Sequence, residues 1–250
     1  MIIERYSSRP PLKAPSRLAP NAVVESATHR PLRPEVAARW GCPATLPVLV
    51  GAADSVLGAY GLGVQREGAI AYIAGTSNVV IGCVDSPVVD PKGSYIVTPM
   101  ADSGFGLELD LLATGSALSW LADLLDVPDG ASGIARIAEP VSLEDAPLVL
   151  PYLAPGEQGA LWDPELVGSI EGLSLRSTRA QLARGLIAGI VSESRRCIAV
   201  LDAAVGRSEL PILLSGAGGR SSLFRQDLAD ATRREVWFHP EETAHSAQGA

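Results

Sequence analysis

The carboxy-terminal third of the chain alternates helix and strand, and this alternation restricts the fold more than any other feature. Residues 178–204 predict a long helix, because Thr178 and Gln181 match a capping box and apolar residues repeat along one face. Residues 210–214 then predict a short buried strand, which a Gly-rich turn joins to an amphipathic helix over residues 222–232. Elements in this order indicate an α/β fold.

Composition and charge limit what a protein of this kind binds. The 250 residues suit one large domain or two small ones, and 47% apolar with 19% charged residues suits a packed core. A net charge of −8 argues against nucleic acid or an anionic membrane as the main partner. No segment reaches the roughly 18 consecutive apolar residues of a membrane span, and the first residues lack a signal-peptide core. We therefore expect a soluble, cytoplasmic protein.

The cysteines and histidines form no metal-ligand pattern. Cys42, Cys83 and Cys197 are far apart in the chain, which predicts reduced thiols, most simply small core residues. The three histidines form no pair at helical spacing. The sequence therefore predicts no metal site made by protein side chains.

A strand–turn–strand segment in the first half of the chain can hold an anion. Residues 68–73 and 79–84 predict the two strands of a hairpin around Gly75-Thr76-Ser77. Backbone N–H groups and hydroxyls in such a turn can bind phosphate oxygens. The Gly-rich turn over residues 215–221 lies between a strand and a helix, where a helix N-terminus can also meet an anion.

Asp54 is the carboxylate that this arrangement singles out. Residues 46–50 predict a buried strand that ends in small residues just before Asp54, and residues 56–62 predict a helix after it. A base at a strand end and a phosphate-binding turn are two parts of a phosphotransferase. Residues 110–126 predict a further helix that Gly115 interrupts, and such a glycine often marks a close approach to the backbone.

Each of these motifs also has a simpler interpretation. Asp54 can merely cap the helix that follows it, and Gly-Thr-Ser in a hairpin is usually only a turn. The glycines after residue 215 match neither the dinucleotide-binding fingerprint nor the phosphate loop that ends in Gly-Lys-Ser/Thr. The order and spacing of all the pieces together are harder to explain in this way.

That order resembles the carboxy-terminal half of the FGGY family of carbohydrate kinases, which includes xylulokinase, glycerol kinase and gluconokinase. The resemblance covers most of the chain, from about residue 22 to residue 250. The matching segments are residues 47–63, the turn 75–77, residues 112–125, residues 150–173, residues 215–226 and residues 242–250. The resemblance implies a ribonuclease-H-like (actin-like ATPase) fold, mostly the second lobe of a two-lobed sugar kinase.

The resemblance also implies a role for each matched position. Asp54 would be the catalytic base that accepts the proton of a sugar hydroxyl, with Ser55 beside it in the substrate site. The positions matched to the ATP site are Gly75, Thr76, Ser77, Gly115, Gly216, Gly218, Gly219 and Ser221. Mg²⁺ would be held largely by the phosphates, by waters and by the other lobe.

The chain lacks part of the family pattern. It contains no Asp-x-Gly-Ser/Thr loop, which in the family belongs to the amino-terminal lobe. Residues 1–65, with four prolines between residues 9 and 20, are predicted to be the tail of that lobe with an extended N-terminus. Residues 66–250 are predicted to be the carboxy-terminal lobe, truncated at its end. Ser55 and Gln158 differ from residues common in relatives, which leaves the sugar open.

We therefore predict ATP-dependent phosphorylation of a sugar or polyol hydroxyl, with a pentulose such as xylulose favoured. The isolated chain is expected to hold an incomplete active site, its partners are sugar and ATP, and a homo-oligomer stays open. Two alternatives also stay open: an inactive nucleotide-binding remnant, and another actin-like ATPase lobe that hydrolyses ATP without a sugar.

Overall fold

The structure, a computed structural model, describes residues 29–49, 51–155, 159–206, 209–239 and 245–249. Within these ranges the strands are β1 (His29–Pro31), β2 (Pro47–Leu49), β3 (Ile70–Ala74), β4 (Asn78–Val84), β5 (Ile96–Pro99), β6 (Phe105–Leu111), β7 (Leu148–Leu150), β8 (Ser169–Glu171), β9 (Ile212–Ser215) and β10 (Val236–Phe238). The α-helices of the same ranges are α1 (Pro34–Trp40), α2 (Asp54–Gly61), α3 (Gly115–Leu124), α4 (Gly130–Ala138), α5 (Arg179–Val205), α6 (Ser222–Thr232) and α7 (His245–Gln248).

A six-stranded mixed sheet in the order β10–β9–β3–β4–β6–β5 organises the protein. Strands β10, β9 and β3 run parallel, whereas β4, β6 and β5 continue the sheet in antiparallel pairs. Side chains alternate between the two faces, as strand geometry requires. Tyr72 and Val80 belong to the core that includes residues of α3 to α6, whereas Ala71 and Ile81 belong to a second core that includes residues of α2. Helices therefore cover both faces of the sheet.

Helix α5 confirms the sequence prediction and anchors α6. The Thr178 hydroxyl accepts the Gln181 N–H (3.2 Å), and the Gln181 side chain accepts the Thr178 N–H (2.9 Å), which completes the capping box. Further along, the buried Arg184 guanidinium donates to both carboxylate oxygens of Asp227 on α6 (2.6 and 3.0 Å). Bidentate pairs of this kind are geometrically specific, so the pair orients α6 against α5.

The predicted helix over residues 110–126 is wrong in its first part. Asp110 and Leu111 still belong to β6, where Leu107, Leu109 and Leu111 alternate into the core opposite β4. Helix α3 begins only at Gly115, so this glycine starts the helix and does not interrupt it. The strand period of two prevails here because β6 pairs with β4 over seven residues.

The predicted burial of the strand at residues 46–50 is also wrong. Strand β2 forms, but Val48 and Leu49 are 45% and 62% exposed. Within the described ranges β2 pairs only with β1, in a two-stranded sheet apart from the large one. Val50 lies outside the described residues.

Other predicted segments fall outside the described residues. These are the proline-rich stretch at residues 9–20, residues 156–158 of the fourth matching segment, and residues 242–244 and 250 of the last one. The division at residue 65 stays a prediction. Within the described part of the chain, no helix has both the length and the apolar content to cross a lipid bilayer.

Burial separates the cysteines by expected reactivity. Cys83 and Cys197 are buried and Cys42 is partly exposed. Burial raises the pKa of the Cys197 thiol to about 12, and it also raises the pKa of Cys83. Because the thiolate is the reactive species, we expect iodoacetamide at pH 8 to alkylate Cys42 alone among the three in the folded protein. Peptide mass spectrometry before and after unfolding in guanidinium measures this, and equal labelling of Cys42 and Cys197 in the folded state would contradict it.

Candidate functional site

A cavity of about 550 Å³ opens at the carboxyl ends of β3 and β9, and we call it the cleft. Its wall is formed by the turn after β3, the start of α3, one side of α4 and the segment that joins β9 to α6. The volume lies within the range of roughly 300–1,000 Å³ typical of small-molecule sites. Ligands of open α/β sheets also bind at this end of parallel strands.

The turn Gly75–Ser77 is held by its carbonyl groups and leaves donors unused. The Gly75 N–H donates to the Ser77 carbonyl (3.0 Å), and the Thr76 carbonyl accepts the Ser116 N–H (3.0 Å) and hydroxyl (3.2 Å). The Thr76 side chain is exposed at the cleft. Among the described residues, the Thr76 hydroxyl and the Thr76 and Ser77 amides have no hydrogen-bond partner. These groups are free to donate to an anion.

Gly115 packs directly against this turn. A Cβ atom at Gly115 would overlap the Gly75 carbonyl oxygen and would lie 3.3 Å from the Thr76 Cα atom. The close approach predicted at Gly115 is therefore present, and the turn itself is what approaches. Gly115 also lines the cleft, so its role beside the nucleotide stays a prediction.

The glycines after β9 divide into two groups. Gly216 has a φ of +89°, and a Cβ atom there would overlap the Ala74 carbonyl oxygen of β3. Gly219 is buried, and its Cβ atom would lie 2.6 Å from the Phe238 ring. Gly218 lines the cleft, whereas Gly216 and Gly219 do not. The structure thus gives Gly216 and Gly219 a packing role, while their contact with adenosine stays a prediction.

A residue that the sequence analysis missed supports the same loop. Arg225 on α6 donates to the Gly219 carbonyl oxygen (2.6 Å), and its guanidinium lies 5.2 Å from the centre of the Phe238 ring. Ser221 lines the cleft, and its hydroxyl accepts the Phe224 N–H (3.2 Å), which caps α6. One sequence signal could have identified Arg225: it is a cationic residue one turn into the helix that follows a Gly-rich loop.

Helix α4 forms one wall of the cleft, although no residue of this helix was predicted to belong to the site. Ser132 and Arg136 on this helix, and Glu139 directly after it, line the cleft. Glu139 accepts the Ser222 hydroxyl at the start of α6 (3.0 Å) and thereby joins the two walls. Arg136 forms an exposed ion pair with Asp129 (2.8 Å). The cleft rim therefore carries charges of both signs.

Asp54 lies outside the cleft. It is the exposed first residue of α2, and its carboxylate accepts the N–H of Ser55 (2.9 Å). A Cβ atom at Gly58, one turn later, would lie 3.0 Å from Ile73 near the end of β3, and α2 leads back to the start of that strand. Helix α2 therefore runs antiparallel to β3, which places Asp54 at the sheet end that carries the turn. Helix α2 covers the sheet face opposite to the one that α3 to α6 cover, and Asp54 does not line the cleft that the turn Gly75–Ser77 helps to form.

Comparison with known proteins decides the family. The profile of the "FGGY family of carbohydrate kinases, C-terminal domain" matches residues 70–250. The chain belongs to the FGGY family of carbohydrate kinases. This FGGY chain is 28% identical over 230 residues to a gluconokinase of Bacillus subtilis (strain 168), covering 87% of this chain and 44% of that protein. It is 28% identical to the xylulose kinase of Escherichia coli (strain K12), covering 88% of this chain and 45% of that one.

Solved structures agree with the family. The crystal structure of xylulose kinase from Rhodospirillum rubrum matches 88% of this FGGY chain with a TM-score of 0.74 and 31% identity, and 44% of that protein is covered. The chain thus spans less than half the length of the relatives it matches. The predicted fold class is confirmed: the chain has the actin-like, ribonuclease-H-like fold of the second FGGY lobe.

The described residues contain no closed metal-binding cluster. No group of three or more His, Cys, Asp or Glu side chains with metal-ligand geometry is found among them. Mg²⁺ beside a nucleotide usually contacts only one or two carboxylates and keeps several waters, so its coordination by the phosphates, by waters and by the other lobe stays a prediction.

Proposed function

We propose that this chain supplies the ATP site and the catalytic base of a kinase that phosphorylates a sugar or polyol hydroxyl. The observation that carries the proposal is the turn Gly75–Ser77, where Thr76 lines the cleft and where, among the described residues, the Thr76 hydroxyl and the Thr76 and Ser77 amides have no hydrogen-bond partner. Donors in this arrangement suit phosphate oxygens, and hydrogen bonds to an anion are about twice as strong as neutral ones. Membership of the FGGY family supports the same assignment.

The cleft has room for a nucleotide beside the turn. The β- and γ-phosphates would accept hydrogen bonds from Thr76 and from the amides of the turn. The adenosine would lie between α4 and the segment that holds Gly218 and Ser221, where the absence of a Cβ atom at Gly218 keeps the backbone accessible. Phe224 lies in the same wall and offers an apolar surface.

Asp54 would serve as the base. Its carboxylate would accept the proton of the sugar hydroxyl while the hydroxyl oxygen bonds to the γ-phosphorus and the bond to the β–γ bridging oxygen breaks, which releases ADP. Asp54 is at the same sheet end as the turn but on the other face, so the sugar would lie between them, with Ser55 beside it. Such a kinase would work in the cytoplasm.

The acceptor is best tested with a panel. Relatives are named gluconokinase, xylulose kinase and glycerol kinase, so we propose gluconate, xylulose and glycerol as candidates, with xylulose first. ADP release that depends on one acceptor supports the proposal. ATP binding without any turnover would favour a nucleotide-binding module, and ATP hydrolysis without an acceptor would favour another actin-like ATPase.

Thr76→Val tests the turn. The substitution removes one hydroxyl and keeps the β-branched shape, so we expect the fold to persist and ATP affinity to fall. A charge-assisted hydrogen bond is worth about 1.5–3 kcal/mol, which corresponds to roughly a 10- to 150-fold loss. Isothermal titration calorimetry measures it, with Thr98→Val on β5 as the matched control outside the cleft. Equal ATP affinity in both variants and the wild type would remove Thr76 from phosphate binding.

A further inference from the structure

A continuous chain of buried side-chain hydrogen bonds runs beneath the turn Gly75–Ser77. Thr114, just before α3, contacts Asn78 on β4 (Oγ1 to Oδ1, 2.8 Å). Asn78 contacts Tyr72 on β3 (Nδ2 to Oη, 2.7 Å), and Tyr72 contacts Ser194 on α5 (Oη to Oγ, 2.6 Å). All four side chains are at least 96% buried. Four separate elements therefore meet through one polar network.

The direction of every bond in this network follows from counting protons. The Ser194 hydroxyl donates to the Ile190 carbonyl within α5 (2.7 Å), so it must accept from Tyr72. Tyr72 has thereby used its only proton and accepts from the Asn78 amide nitrogen. The Asn78 amide oxygen then accepts from Thr114. In every bond of the network the donor therefore lies on the side of Thr114 and the acceptor on the side of α5.

This direction requires a side chain at position 78 that both donates and accepts, as the Asn78 amide does. Asn78 must accept on one side and donate on the other, and Tyr72 has no second proton to offer it. A carboxylate in its place could only accept, which would turn the Tyr72 hydroxyl away from Ser194. Because buried polar groups without partners are costly, the network holds only while the side chain at position 78 both donates and accepts.

The network ends at the groups that hold the turn. Thr114 is followed by Gly115, which packs on the Gly75 carbonyl, and by Ser116, whose N–H binds the Thr76 carbonyl (3.0 Å). The Thr114 hydroxyl itself lies 3.4 Å from the Thr76 carbonyl oxygen. Asn78 and Thr114 also line the cleft from below. The position of the Thr76 donors therefore depends on where Asn78 holds Thr114.

We infer that Asn78 is a positioning residue for the phosphates of the bound nucleotide, acting through Thr114 and the start of α3 on the turn. This inference rests on the proposed function, because it names how the ATP site is kept in shape. It assigns Asn78 no contact with the reacting atoms. Its loss should weaken phosphate binding and leave adenosine binding intact, since the loop before α6 has its own support from Arg225.

The deciding variant is Asn78→Asp, studied from pH 5.5 to pH 8. When the introduced carboxyl group is protonated, it can donate to Tyr72 and accept from Thr114 as the amide does. When it ionises, the donor is lost. Burial raises the pKa of such a carboxyl group, so we expect it to ionise within the pH range of the experiment. Asn78→Leu is the companion variant, because it lacks both bonds at every pH.

Other ionisable groups near the network do not account for a pH dependence that is specific to Asn78→Asp. Burial raises the pKa of Tyr72 and raises that of Cys197 on α5 to about 12, so both stay neutral below pH 8. Glu193 and Asp110 act electrostatically on Cys197. Both residues are present in the wild type and in the variant, so the wild type measured at each pH is the control for them.

Calorimetry with ATP and with adenosine measures the effect. For Asn78→Asp we expect the loss of ATP affinity relative to the wild type to grow from less than about threefold at pH 5.5 to about tenfold or more at pH 8, with adenosine affinity unchanged. Asn78→Leu should show the full loss throughout. Equal losses for ATP and adenosine, or a loss that does not depend on pH in Asn78→Asp, would overturn the positioning role.

Hydrogen exchange separates this inference from the proposed function. If the wild type binds neither ligand, the proposed ATP site fails, and the Ser116 amide still reports whether Asn78 holds the turn. Asn78→Leu should speed exchange at Ser116 about tenfold or more relative to Ile81→Val, which trims the opposite face of the same strand. Equal exchange in the two variants would overturn the inference.

Discussion

Replacing Asp54 with Asn is expected to lower sugar-dependent ATP turnover by about 10²- to 10⁴-fold, the usual contribution of a general base. The amide cannot accept the proton of the attacking hydroxyl. It can still accept the Ser55 N–H, so α2 should keep its start and the fold should be unchanged. Asp54 does not line the cleft, so ATP affinity should also stay as it is.

The measurement is ADP release with gluconate, xylulose and glycerol. The chain spans less than half of its relatives, so the assay uses the chain alone and a chimaera that adds the amino-terminal half of the Bacillus subtilis gluconokinase. Asp85→Asn, an exposed carboxylate just after β4, is the matched control. If the parent turns over and Asp54→Asn keeps more than about a tenth of that rate, Asp54 is not the base.

Gly115→Val is expected to remove ATP binding almost completely. A Cβ atom already overlaps the Gly75 carbonyl oxygen, and valine adds two methyl groups in the same gap. The turn must move, and the unpaired Thr76 donors move with it. Overpacking typically costs about 1–3 kcal/mol of stability, and displaced charge-assisted donors make a loss of ATP affinity of about 100-fold or more the expected result.

Gly51→Ala is the matched glycine control, because a Cβ atom at Gly51 meets no atom within 4 Å. Calorimetry with ATP gives the affinity, and urea unfolding gives the stability of each variant. ATP binding by Gly115→Val within about threefold of Gly51→Ala would show that the turn does not bind the phosphates.

Local sequence signals located several elements well. The capping box at Thr178 and the apolar stripe after it predicted α5 within one residue at each end. The hairpin around Gly75–Ser77 and helix α6 were found where strand alternation and the Gly-rich turn predicted them. These elements share one property: the groups that define them are a few residues apart in the chain.

Elements whose state depends on a distant partner were predicted less well. Residues 110–111 belong to strand β6 because their backbone pairs with β4, although the leucines around Gly115 suggest a helix. Strand β2 has an apolar sequence typical of burial, but exposure depends on what covers a strand, and β1 alone pairs with it among the described residues.

The sequence by itself determined the family, the α/β class and the position of the turn Gly75–Ser77, because these follow from the order of short local motifs. Only the tertiary structure showed that Asp54 lies outside the cleft and that Gly115 packs on the turn. It alone revealed the bonds from Asn78 to Thr114 and from Tyr72 to Ser194, which join residues 36 and 122 positions apart. Bonds over such distances have no local signature, because a polar residue in a strand looks the same whether it faces water or a buried partner.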